Sequence, residues 1–169
     1  MATTNGLRAV GPSPVARLLH AHRYEVIPVA DVERLVDVLA PGSTVTVTCS
    51  QRHGVDRTLA ASERLAARGY VVVPHLAARM IAGREELRRI VRRLGAARIS
   101  EVFVVGGDAS PPVGAFSDAG DLLEELSSLS HPFTRIGVGG YPEGHPLVPR
   151  GALFDALRRK QPYAAYVAT

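Results

Sequence analysis

Short Val-rich runs alternate with amphipathic stretches about every 25 to 30 residues along this 169-residue chain, and that alternation most constrains its fold. Residues 24–28, 43–48, 70–73, 102–105, 135–138 and 163–168 read as strands. Residues 31–39, 57–67, 84–94, 116–129 and 151–159 read as helices between them. Pro74 is expected to stop the third strand, and Gly69 and Gly95 to close two helices. In 84–94, Leu87, Ile90, Val91 and Leu94 form an apolar stripe at i, i+3, i+4, i+7. Repeated βα units of this kind build a parallel sheet with right-handed crossovers.

Two α/β architectures compete: a flavodoxin-like doubly wound sheet and a (β/α)8 barrel. Polar residues stand near the C-terminal end of nearly every predicted strand: Glu25, Thr48, His75, Asp108, Tyr141 and Thr169. A doubly wound sheet gathers its site at one or two strand ends. A barrel collects groups from many strand ends around one mouth, so the distribution favours the barrel. A complete barrel takes about 200 to 250 residues. The expectation is therefore a TIM-barrel-like (β/α)8 fold, incomplete with about six βα units. Its domain organisation reads as a tail and short helix over 1–22, then the partial barrel over 23–169. The first and sixth strands would be open edges, inviting homo-oligomer formation or another association there.

Composition narrows the function classes. No apolar run approaches the roughly 20 residues of a membrane span, so no membrane partner is expected. The first fourteen residues are polar with Gly and Pro and lack the apolar core of a signal peptide. The single cysteine, Cys49, excludes an internal disulfide and a cysteine zinc cage, and a cytoplasmic location fits. The net charge of +4 admits an anion partner, but most arginines fall on helical patterns and read as solvated faces. With no Trp and few aromatics there are no base-stacking platforms, so no nucleic-acid partner is expected.

The chemistry-bearing residues cluster at strand ends. Gly137-Val138-Gly139-Gly140-Tyr141-Pro142-Glu143-Gly144-His145-Pro146 follows an apolar run with glycines, stiffening prolines, two rings and a carboxylate. Glycines there let a flat ligand approach the backbone. Glu25 suits a general acid if burial raises its affinity for a proton. Thr48 is a candidate hydrogen-bonding group, and Asp56 a candidate N-cap. His75 follows Pro74. Gly106-Gly107-Asp108 permits close backbone approach and supplies a carboxylate to a developing cation, though the same triplet also makes a good turn. A metal-hydrolase reading of His75, Asp108 and His145 ranks last, and His20-Ala21-His22 lies before the first strand, away from the mouth. Neither a dinucleotide fingerprint nor a P-loop is present.

Together these stretches resemble the methylenetetrahydrofolate reductase family, from about Tyr24 to Thr169. The segment 137–146 is similar to that family's Gly-Val-Ala-x-Tyr-Pro-Glu-x-His-Pro strand end. Val105-Gly106-Gly107-Asp108 stands where the family has Leu-Arg-Gly-Asp. Val73-Pro74-His75-Leu76, Val47-Thr48 with Asp56-Arg57-Thr58, and Tyr24-Glu25-Val26-Ile27-Pro28 match further family motifs in order. The resemblance implies a (β/α)8 barrel that binds FAD, takes electrons from NADH or NADPH, and reduces 5,10-methylenetetrahydrofolate to 5-methyltetrahydrofolate for methionine synthesis. It implies Glu25 as the acid that opens the folate ring and Asp108 as the group stabilising the iminium form. Thr48, His75, Gly106, Gly107, Asp108, Tyr141, His145 and Lys160 become the implied cofactor contacts, and no metal is implied. Gly106 replaces the family's Arg, Cys49-Ser50 replace its Tyr-Gly, and the stretch 149–160 is a residue or two short. Departures of this kind leave a non-catalytic binding or regulatory subunit as the alternative.

Overall fold

Val45 and Val47 turn into an apolar core while Thr46, between them, faces an open cleft. That period-two split organises the whole sheet. The structure is a computed structural model describing residues 22–145 and 148–169. Its elements run β1 (Arg23–Val26), α1 (Val32–Val36), β2 (Thr44–Val47), α2 (Gly54–Ala67), β3 (Val71–Ala77), a 3-10 turn (Ala78–Met80), α3 (Arg84–Ala96), β4 (Glu101–Val105), α4 (Ala119–Ser127), β5 (Arg135–Gly139), α5 (Arg150–Lys160) and β6 (Tyr166–Ala168). The strands lie in chain order in one sheet, every neighbouring pair parallel. The expected tail over 1–22 lies outside the described residues, apart from His22.

The sheet is a curled half-barrel. In a flat sheet β1 and β6 would stand about 24 Å apart, five strand spacings. Yet Arg23 of β1 donates a hydrogen bond to the Tyr166 hydroxyl of β6 at 2.8 Å. Arg23 also donates to Glu101 of β4 at 2.7 Å. Side chains of the first, fourth and sixth strands therefore meet inside the curl. On the other face, Val45, Val47, Leu76, Val102, Val104 and Val138 pack with Leu59, Leu65, Ile90, Leu94, Leu122 and Leu126 of the helices. The stripe expected on α3 is buried as the spacing requires.

Arginines join successive helices. Arg64 of α2 reaches Glu33 of α1, and Arg68, just after α2, reaches Asp37, just after α1. Arg93 of α3 forks onto Glu63 of α2 at 2.8 and 2.9 Å, and Arg89 and Arg93 share Asp56 at 2.9 and 3.0 Å. Arg84 reaches Glu125 of α4, and Arg159 of α5 reaches Asp118, Asp121 and Glu124. These faces, read from the sequence as merely solvated, are laced between neighbours. Asp56 is not the expected N-cap. It sits inside the first turn of α2, and Arg89 beside it holds its carboxyl below the usual carboxylate range.

Other boundaries moved for local reasons. β3 runs through Pro74 to Ala77, because its ladder to β2 ends at Pro74 and its ladder to β4 begins at His75. The missing N–H falls at that handover, where it costs the sheet least. α3 passes through Gly95 and ends near Arg98, which takes the left-handed conformation itself at φ 57°. α4 starts late because the Asp118 carboxylate accepts from the Asp121 N–H at 3.0 Å. β6 starts late because Tyr163 and Ala164 continue the turn that ends α5.

Gly137 of β5 tests the packing inside the curl. A Cβ there would lie 2.6 Å from Phe103 Cδ2 and closer still to Tyr166 Cζ. Gly137→Ala is expected to destabilise the protein by about 1–3 kcal/mol through overpacking. Gly139→Ala meets nothing nearer than 3.8 Å and should leave stability within about 0.5 kcal/mol of wild type. Urea denaturation of both variants measures the contrast, and equal midpoints would contradict this packing.

Candidate functional site

Alternation along the strands sends Arg23 and Glu25 of β1, Thr46 of β2, His75 of β3, Phe103 and Val105 of β4 and Tyr166 of β6 into one cleft of about 360 Å³. Gly139, Gly140 and Tyr141 close its β5 side. The volume is at the low end for a ligand pocket and suits a two- or three-ring heterocycle. A second groove of about 480 Å³ lies beyond β5 and shares Gly139, Gly140, Tyr141 and Thr169 with the cleft. Its other walls are Pro142, Val167 and residues of α5, among them Phe154, Leu157 and Lys160.

Glu25 and His75 form the polar centre. Oε2 of Glu25 lies 3.7 Å from Nε2 of His75, too long for a hydrogen bond but one small side-chain movement or one water away. Their environments differ: His75 is 13% exposed and Glu25 is 64% exposed. Burial pushes the His75 imidazole below its ordinary 6.5, and the nearby Glu25 carboxylate opposes that shift. His75 is thus neutral at pH 7, able to accept or donate one hydrogen bond. The burial that would make Glu25 a good acid must come from a ligand covering it.

Beneath this pair the cleft has a polar floor. Arg23 donates to Glu101 and to Tyr166, and Arg135 stands 3.8 Å from the same Glu101 carboxylate. Burial, then the hydrogen bond and charge of Glu101, push the Tyr166 phenol up to about 12. The guanidinium of Arg23 lies over the Tyr166 ring at 4.6 Å.

The structure brings Glu25, His75 and Tyr141 to one cleft, with His145 edge-on to Tyr141 at a ring separation of 5.4 Å. It does not bring all the sequence-predicted residues there. Thr48 is not among the cleft's lining residues; its N–H donates to Val26 and its carbonyl accepts from Thr58 at 2.9 Å. Gly106, Gly107 and Asp108 form the turn after β4. Gly107 takes φ 83° against Ala77, the Gly106 carbonyl accepts from the Arg79 N–H at 2.9 Å, and Asp108 is exposed. Lys160 approaches β5 from α5, and its Nζ donates to the Gly139 carbonyl at 2.6 Å. Burial pushes its ammonium below the usual lysine range. Pro146 lies outside the described residues.

No protein-family model matches the chain. Among the described residues no helix is long and apolar enough to cross a membrane. No group of three or more His, Cys, Asp or Glu among them is placed to hold a metal ion. The residues sequence reasoning passed over are Arg23, Thr46, Phe103 and Tyr166. For three of them the signal was parity: Arg23 lies two residues from Glu25, Thr46 is in register with Glu25 and Phe103 with His75, whereas Tyr166 pairs with Gly137.

The His75–Glu25 approach gives a direct test. His75 is expected to titrate below 6.5 by NMR, and Glu25→Gln should lower its midpoint further by removing the opposing charge. The sign for stability follows. A buried neutral histidine stabilises the fold above its unfolded value of about 6.5, and that contribution is lost as pH falls from there through the folded value. An unchanged midpoint in Glu25→Gln would show that the two groups are not in electrostatic contact.

Proposed function

We propose that the cleft belongs to a flavin-dependent oxidoreductase that reduces 5,10-methylenetetrahydrofolate, a methylenetetrahydrofolate reductase-like enzyme on an incomplete TIM-like barrel. The observation that carries this reading is the placement of Glu25 beside His75, with Tyr141 on the same wall, in a cleft sized for a flat heterocycle. The ordered family-like motifs noted above add to it. The residues fit FAD in two respects. A Cβ at Gly139 would touch only the Tyr141 ring, at 3.8 Å, so a flat ring could reach this backbone beside or in place of that exposed tyrosine. The groove that Lys160 lines also shares Gly139, Gly140, Tyr141 and Thr169 with the cleft, so a second cavity adjoins it for the rest of a dinucleotide. FAD would supply the hydride store between NADH or NADPH and the folate.

The chain's own residues would do the rest. Glu25, covered by substrate, would hold a proton for the nitrogen released as the folate imidazolidine ring opens. His75, kept neutral by burial, would offer Glu25 a hydrogen-bond partner without adding a cation to the cleft. Tyr141 and His145 would flank the bound ring, whereas Asp108, exposed in the turn after β4 and not among the cleft's lining residues, would have to swing in to meet a developing iminium.

A second reading is a non-catalytic subunit that associates through its sheet edges. β1 and β6 each pair with one neighbour among the described residues, and Phe154 and Val167 beside the β6 edge are 62% and 47% exposed.

Flavin colour separates the two. The reductase reading expects absorbance near ~450 nm from bound flavin, in the purified protein or after adding FAD. Glu25→Gln should then lose folate reduction by about 100-fold or more while NAD(P)H-to-flavin transfer stays largely intact. A colourless protein that takes up no FAD and sediments as a stable oligomer would favour the subunit instead. Equal loss of both half-reactions would remove Glu25 from the acid role.

A further inference from the structure

Beside the cleft's polar floor, one register row crosses the cleft from β3 to β6. His75, Phe103, Gly137 and Tyr166 are register partners across β3, β4, β5 and β6. Three of the four carry rings, and the fourth has no side chain. The His75 and Phe103 ring centroids are 4.9 Å apart with planes at 40°, and Phe103 and Tyr166 are 6.1 Å apart at 32°. Gly137 makes this possible, because any Cβ there would collide with both Phe103 and Tyr166. The two end rings carry polar atoms: His75 stands 3.7 Å from Glu25, and the Tyr166 hydroxyl accepts from Arg23. Phe103 is the wholly apolar ring in the row. It stays half-buried against the cleft, whereas Val102 and Val104 on its strand's other face are fully buried.

We propose that Phe103 is a specificity-determining residue of this cleft: its ring seats a fused, nitrogen-containing heteroaromatic ring whose polar edge meets Glu25, His75 and Thr46. This deepens the oxidoreductase reading and rests on it. The ligand chemistry is shared by the isoalloxazine of a flavin and the pterin of a folate. A flat ring gains dispersion and quadrupole contacts from an aromatic floor that an aliphatic side chain of similar size supplies less well. The polar groups along one side of the row reject ligands that are apolar at every edge, since these would leave buried donors and acceptors unpaired.

The test uses the full chain with riboflavin and folic acid as separate probes in titration calorimetry. For whichever probe binds the wild type, Phe103→Leu and Phe103→Met are expected to weaken affinity about tenfold. Phe103→Tyr should hold it within about threefold, a rescue that simple loss of packing would not produce. Preference of the effect for riboflavin or folic acid identifies the ring seated there. A second measurement needs no substitution at this site: in protein labelled with fluorophenylalanine, the Phe103 resonance should shift when the probe saturates. Full affinity in folded Phe103→Leu, or an unmoved Phe103 resonance at saturation, overturns the proposal while leaving the oxidoreductase reading standing. Phe103-dependent binding without folate reduction overturns only the reaction assigned above. Binding of neither probe to the wild type overturns both.

Discussion

Arg23 is the residue on which the curl depends. Its guanidinium meets Glu101 and Tyr166, so one side chain from β1 is tied to β4 and to β6. Glu101 is 10% exposed, and a carboxylate that deep is tolerated only when paired and hydrogen-bonded. Removing one partner of such a pair leaves a buried charge and costs about 3–5 kcal/mol. The knot thus makes flattening of the sheet expensive: opening the curl would strand Glu101 without its arginine. It also reaches the chemistry. Arg23 and Glu25 are two residues apart on one face of β1, so anchoring the first fixes where the second meets His75.

The arginines outside the barrel work differently. Each pair between α2 and α3, or α4 and α5, is substantially exposed, and such pairs contribute about 0–1 kcal/mol. The apolar stripe beneath them, Leu87, Ile90, Val91 and Leu94 on α3, supplies most of the adhesion. The clamps still matter for register, since the Arg93–Glu63 fork accepts one relative placement of two helices. They also change the meaning of the positive charge. Arginines engaged with neighbouring carboxylates do not form an anion-seeking patch, and much of the surface positive charge is used in this way.

Element types were legible because each depends on a local period. The alternation at 43–48 and the stripe at 84–94 report the face a residue presents, and the fold obeyed both. What escaped depended on partners distant in sequence. Pro74 reads locally as a stop, and only the handover between the ladders to β2 and β4 explains its place inside β3. Glu25, His75 and Tyr141 could be gathered as strand-end polar groups. Arg23 and Phe103 could not, since an arginine at the start of a strand and a phenylalanine within one are ordinary there. Their importance arises from Glu101 and Tyr166, 78 and 143 residues from Arg23.

The glycines of 137–140 show why a motif and its physical cause can differ. All of them first suggest a backbone laid open for a flat ligand. Gly137 is instead covered, making space for Phe103 and Tyr166, and a Cβ at Gly140 would lie 2.6 Å from Val167. Gly139 alone of the three could take a Cβ without a clash, in ordinary contact with the Tyr141 ring at 3.8 Å, and the buried Lys160 holds its carbonyl from the helix side. Packing therefore requires two of these glycines even without a ligand, and only one is left for function to explain. The same economy links floor to mouth: the absence of a side chain at Gly137 lets the row of tilted rings form, and that row runs from Tyr166 to the His75 that faces Glu25.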